Sequence, residues 1–91
     1  MTKLEEARLS IDKIDSEILK LFEERMDVVQ EVIKYKIEHN IPILDTNREN
    51  QMLEKNLNKI SNEGYRNYYK TVLEGFLKAS KDMQKDILEN K

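Results

Sequence analysis

The chain has 91 residues and no cysteine, which excludes disulfide frameworks, thiolate metal sites and thiol nucleophiles. Its 16 basic and 18 acidic residues are interspersed and give a net charge of −2, so we expect neither a nucleic-acid nor a membrane partner. We expect a single cytoplasmic domain over residues 1–91, because the charged N-terminus lacks the apolar run of a signal peptide.

Apolar residues recur three and four positions apart, which predicts an all-α protein with three helices. The first helix is expected from about Thr2 to about His39, and Pro42 prevents its continuation. Its apolar rows contain Leu4, Ala7, Ile11, Ile14, Ile18, Leu21, Val28 and Val32. At about 1.5 Å per residue this rod is roughly 55 Å long, too long for the rest of the chain to cover. We therefore expect it to pack against a second copy of the chain.

Two shorter helices follow the first. Asp45 is a good N-cap for a helix from about Thr46 to about Ile60. The break around Gly64 precedes a third helix, which begins near Tyr65 and continues almost to the C-terminus. Its expected inward stripe consists of Tyr65, Tyr69, Val72, Phe76, Met83 and Ile87.

Cations interrupt the apolar stripe of the first helix. At about 100° per residue, Arg25 and Lys36 lie within about 20° of each other, in a sector that also holds Val29, and Arg8 lies at its edge. A basic side chain in such a place often lies along apolar surface with its charge in water. Three together need counter-charges, and this face offers few anions, of which Asp15 is the main one. An anionic ligand would supply them.

The start of the second helix carries another polar group. Asp45, Arg48, Glu49 and Met52 follow the i, i+3, i+4, i+7 pattern, so a cap, a cation and an anion share one face with an inward methionine. The alternative is that the two acids only cap the helix and stabilise its dipole, worth about 1 kcal/mol. For Arg48 the alternative is a solvated ion pair on the helix surface.

Two further observations concern distance along the helices. Ser80 and Gln84 lie one turn apart at the margin of the third stripe. Arg8 and Arg25 are about 25 Å apart along one helix and cannot bind the same small molecule from one chain. In an antiparallel dimer, Arg8 of one copy can approach Arg25 of the other.

The segments ARLSIDKIDSEILKLFEERMDVVQEVIKYK and PILDTNRENQML, followed by Ser80 and Gln84, resemble the all-helical chorismate mutase family (type II, the AroQ class). The resemblance covers about Leu4 to Leu88. It implies three helices per chain in an intertwined homodimer with two shared active sites. The implied activity is the isomerisation of chorismate to prephenate in phenylalanine and tyrosine biosynthesis, with no cofactor and no metal.

The resemblance also implies a role for each polar residue. Arg25 and the partner chain's copy of Arg8 would bind the two substrate carboxylates, and Lys36 and Gln84 would donate to the ether oxygen of the breaking bond. Asp45 and Glu49 would hold the ring hydroxyl, and Arg48 would order Glu49. Ser80 would contact a carboxylate. The implied catalytic residues are Arg25, Lys36, Glu49 and Gln84.

Two other functions remain open at this stage. A lyase that removes pyruvate from isochorismate uses a similar pocket in the same fold, although the pairing of Glu49 with Gln84 favours the mutase. Alternatively, the chain is a non-catalytic helical dimerisation or regulatory module. Such a module would have no reason to keep all eight polar residues at these spacings.

Overall fold

The structure is a computed structural model and is described here for residues 1–90. These residues form helix α1 at Lys3–Glu38, α2 at Thr46–Leu57, a 3₁₀ turn at Glu63–Tyr65 and α3 at Arg66–Glu89, with no strand among them. The predicted all-α fold with a long, a short and a medium-long helix is confirmed. None of the helices within residues 1–90 combines the length and apolar character that a membrane span requires.

Both ends of α1 agree with the sequence prediction within one residue. The Thr2 hydroxyl accepts a hydrogen bond from the Glu5 backbone N–H at 3.1 Å and caps the first turn. At the other end Asn40 adopts a left-handed φ of 54°, and the Ile41 N–H donates to the Lys36 carbonyl at 2.8 Å. This pairing is typical of a Schellman motif, which ends α1 just before Pro42.

The predicted end of the second helix was wrong by three residues. Asp45 caps α2 as expected, accepting from the Arg48 N–H at 3.0 Å, but α2 ends at Leu57 rather than Ile60. The Ile60 N–H donates to the Leu57 carbonyl in a tighter turn. The Arg66 guanidinium donates to that same carbonyl at 3.1 Å, so a cation from α3 stabilises the C-terminus of α2.

The three helices meet over the C-terminal half of α1. Each helix contributes one buried hydrophobic side chain: Ile33 from α1, Leu57 from α2 and Leu73 from α3. On α1 the partly buried residues Phe22, Met26, Val29 and Ile37 form one row with Ile33, four and three positions apart. Neither Ile33 nor Leu73 was among the expected inward residues, whereas Tyr65 and Val72, which were, are exposed.

The N-terminal half of α1 lies outside this core. Every residue from 1 to 21 is exposed in the single chain. The exposed side chains include a continuous apolar row formed by Leu4, Ile11, Ile14, Ile18 and Leu21. The chain measures 56 × 27 × 16 Å and has a radius of gyration of 16.6 Å. A compact chain of this length has a radius of gyration of about 12 Å. The long axis is therefore set by α1, whose first half lies outside the core of the described residues 1–90.

Candidate active site

A cavity of about 230 Å³ lies where the C-terminal half of α1, the following loop, the start of α2 and the second half of α3 converge. Seven of the eight predicted site residues line it: Arg25, Lys36, Asp45, Arg48, Glu49, Ser80 and Gln84. Val29, Val32, Ile43, Met52, Leu77 and Lys81 complete the wall. Polar residues that are far apart in the sequence thus line one cavity, together with apolar side chains.

Arg25 is the central cation contributed by α1. Its Nη1 donates to the Ser80 hydroxyl on α3 at 2.9 Å, and its guanidinium lies 5.3 Å from the centroid of the Phe76 ring. Both partners are uncharged, so the positive charge is oriented but not neutralised. Desolvation by burial lowers the pKa of Arg25 from its ordinary value. An arginine held in this state is ready to bind an anion, preferably a planar carboxylate that matches its fork.

Lys36 lies in the last turn of α1, on the same face as Arg25. Its Nζ donates to the backbone carbonyl of Ile43 at 3.4 Å, in the loop that leads to α2. An ammonium group has three donors, so this bond fixes the direction of the side chain and leaves donors for a ligand. The loop between α1 and α2 therefore orients the second cation of the cavity.

The first turn of α2 supplies a mixed set of charges. The side chain of Asp45 accepts from the Arg48 backbone, while Glu49 points toward α3 and pairs with Lys81 at 3.2 Å between Nζ and Oε2. The expected partner of Glu49 was Arg48, its neighbour in sequence. Adjacent residues on a helix point about 100° apart, which favours a partner on the facing helix. The proposed ordering of Glu49 by Arg48 stays a prediction.

Arg8 is the predicted site residue that the single chain does not bring to the cavity. It lies on the exposed N-terminal half of α1, about 25 Å from Arg25 along the helix. Gln84 lies one turn after Ser80 on α3 and faces the cavity with it. Among residues 1–90, no group of three or more potential metal ligands occurs.

Sequence reasoning missed Lys81 as a residue of the cavity. It is adjacent to Ser80 in the sequence and lies at the wall of the cavity on α3. With it, the charged lining consists of four cations and two carboxylates: Arg25, Lys36, Arg48 and Lys81 against Asp45 and Glu49. The excess of two positive charges matches a ligand that carries two negative charges.

Comparison with known proteins gives a family match. The family model described as chorismate mutase type II matches residues 7–85. A solved structure, the form II chorismate mutase from Thermus thermophilus, superposes with a TM-score of 0.86 and 26% identity. The superposition covers 92% of this chain and 96% of that one.

Three curated relatives match over shorter regions. The chorismate mutase of Methanocaldococcus jannaschii is 42% identical over 53 residues, which are 58% of this chain and 54% of the relative. The bifunctional chorismate mutase/prephenate dehydratase of Aquifex aeolicus is 38% identical over 65 residues, 71% of this chain and 18% of the relative. The T-protein of Haemophilus influenzae is 39% identical over 54 residues, 59% of this chain and 14% of the relative. The matched region is thus about half of one relative and less than a fifth of the other two.

Proposed function

Because the chain belongs to the chorismate mutase type II family, we propose that it isomerises chorismate to prephenate. The observation that carries this proposal is the cavity of about 230 Å³, whose lining has two more positive than negative side chains. Chorismate is a small dianion with two carboxylates, an ether oxygen and a ring hydroxyl. The cavity offers cations for the carboxylates, hydrogen-bond donors for the ether oxygen and acceptors for the ring hydroxyl.

The chemistry of this rearrangement fits such a cavity. A Claisen rearrangement is unimolecular: the C–O ether bond breaks while a C–C bond forms, and no atom enters or leaves. Catalysis therefore consists of holding a flexible dianion in its reactive chair and stabilising negative charge on the ether oxygen. A donor aimed at developing charge in a dry site is typically worth about 3–4 kcal/mol.

We assign the substrate contacts by charge and geometry. Arg25, oriented by Ser80 but not neutralised, binds one carboxylate. Lys36, oriented by the Ile43 carbonyl, donates to the ether oxygen from one side, and the Gln84 amide donates from another. Both positions are on rigid helices, which suits groups that must be aimed at one atom.

The start of α2 holds the other end of the substrate. Glu49 and the backbone around Asp45 accept from the ring hydroxyl, and Arg48 adds positive charge near the carboxylates. Ser80 contributes a hydroxyl beside Arg25 at the carboxylate end.

The second carboxylate is bound by Arg8 of another copy in a homodimer. The exposed apolar row on the N-terminal half of α1 supports this arrangement, because Leu4, Ile14 and Leu21 are each more than half exposed in the single chain. A contiguous apolar row of this length marks an interaction surface. An antiparallel neighbour along this row brings its Arg8 toward Arg25, which the same chain's Arg8 cannot approach.

The test is the incubation of purified protein with chorismate. We expect the ultraviolet absorbance of chorismate to fall and prephenate to form in equal amount, as identified by NMR. Isochorismate is assayed in parallel for released pyruvate. Pyruvate release without prephenate formation would assign the chain to the lyase reaction, and inactivity on both substrates would make it a non-catalytic module.

A further inference from the structure

Lys81 makes a contact that the substrate assignment above does not use. Its Nζ lies 3.2 Å from Oε2 of Glu49 and joins α3 to α2 at the wall of the cavity. The Glu49 side chain is 22% exposed and that of Lys81 48%. The carboxylate is thus the more enclosed member of the pair.

This ion pair differs from the other two on α3. Lys78 pairs with Asp82 and Lys85 with Glu89, each within one helix at i, i+4, and all four of those side chains are more than 60% exposed. Exposed pairs of this kind contribute little to stability. The Lys81 pair instead connects two helices and involves a carboxylate that lines the cavity.

The pair also separates the cavity from its surroundings. Glu49, Leu77 and Lys81 line both the cavity and a shallower groove between α2 and α3. Without Lys81 the Glu49 carboxylate would lack its ion-pair partner, and its uncompensated negative charge would face a dianionic ligand in the cavity.

We propose that Lys81 is a positioning residue, which holds the Glu49 carboxylate against the cavity wall and neutralises it toward the substrate. This role rests on the proposed chorismate mutase activity. The loss of Lys81 adds a repulsion that acts on the bound dianion before and during the rearrangement alike. Its effect therefore falls on KM rather than on kcat.

The experiment compares three variants of the full chain with the wild type in a chorismate assay at low ionic strength. Lys81→Met is expected to raise KM about 5–10-fold and to change kcat by less than about twofold. Lys81→Arg is expected to restore KM to within about twofold, since it can still pair with Glu49. Lys78→Met, which removes the same charge one turn earlier and outside the cavity, is the matched control and is expected to leave both constants unchanged.

A double-variant cycle shows whether Lys81 acts through Glu49. In the Glu49→Gln background, which itself is impaired, Lys81→Met is expected to change KM by less than about twofold, because no carboxylate remains to be held. The positioning role is overturned if Lys81→Met leaves KM unchanged, or if it raises KM equally in both backgrounds. In either case, turnover by the wild type preserves the proposed function. An inactive wild-type protein overturns the proposed function, and this role with it.

Discussion

The Arg25 guanidinium donates to the Ser80 hydroxyl across 2.9 Å, and the same hydroxyl donates its proton to the Phe76 carbonyl, also at 2.9 Å. A serine hydroxyl has one proton, so its commitment to Phe76 leaves lone pairs that point at Arg25. The α3 backbone thereby orients a cation that belongs to α1. No negative charge is involved, which keeps the full charge of Arg25 for a ligand.

The first prediction follows from the burial of this charge. Arg25→Met is expected to raise Tm by roughly 2–5 °C while abolishing mutase activity, because methionine fills the space without the cost of desolvating a cation. Sites built for binding often reduce stability in this way. Thermal unfolding followed by circular dichroism, with Lys34→Met as an exposed control on the same helix, measures the change. A lower Tm would mean that Arg25 stabilises the fold.

The second prediction concerns Lys36 and its bond to the Ile43 carbonyl. Lys36→Ala is expected to lower kcat by about 10²–10³-fold, the usual loss for one donor to developing charge, with a much smaller change in KM. Steady-state kinetics with chorismate measure both constants, and Lys34→Ala controls for the removal of a lysine from α1. An unchanged kcat would mean that Lys36 has no role in the transition state and only lies along apolar surface with its charge in water.

Helical periodicity and local capping predicted much of the fold, because both are encoded over a few residues. The Asp45 cap and the end of α1 before Pro42 depend only on neighbouring positions. The end of α2 does not. There the Leu57 carbonyl accepts a hydrogen bond from Arg66 of α3, and such a contact has no signal in the neighbouring sequence.

The core shows a second limit of prediction from the sequence. The apolar residues of α1 form two rows, and periodicity alone does not tell which one faces α3. Ile33 is almost fully buried within the chain, whereas Val28 and Val32 are about half exposed. The row that was expected to face inward is largely exposed in the single chain. The sequence therefore indicated that α1 has an apolar face, but not which element packs against it.

The site was more predictable than its internal contacts. The positions of Arg25 and Lys36 in an apolar stripe indicated a buried ligand, and the fold brings both to one cavity. Lys81 gave no such signal, since a lysine among charged neighbours on a helix is typical of a solvated face. Only the packing of α2 against α3 brings it to Glu49.

The third prediction tests the exposed row on α1. In Ile14→Glu a charge replaces an apolar side chain in the proposed interface, where it would be buried without a partner. Light scattering at micromolar concentration is expected to give about twice the 10.9 kDa chain mass for the wild type and a lower mass for the variant. Ser16→Glu introduces the same charge off the row and is expected to stay dimeric. A fully active wild-type monomer would contradict a shared site.

The last prediction tests whether Arg8 completes the site of a second chain. Arg8→Ala and Arg25→Ala are each expected to be nearly inactive as homodimers, because each leaves one substrate carboxylate without its guanidinium. In a heterodimer of the two variants, one site receives Arg25 from the first chain and Arg8 from the second, so it is intact. The other site lacks both.

Random pairing after co-refolding equal amounts of the two variants gives about half heterodimers, each with one working site, and hence about a quarter of wild-type activity per chain. Native mass spectrometry of chains that differ in isotope label confirms the exchange, and wild-type protein refolded in the same way gives the activity that refolding recovers. Activity restored by mixing arises only when the two arginines of one site come from different chains. A mixture that exchanges fully yet stays as inactive as its parents would mean that Arg8 serves its own chain, and the antiparallel arrangement proposed for the exposed half of α1 would be wrong.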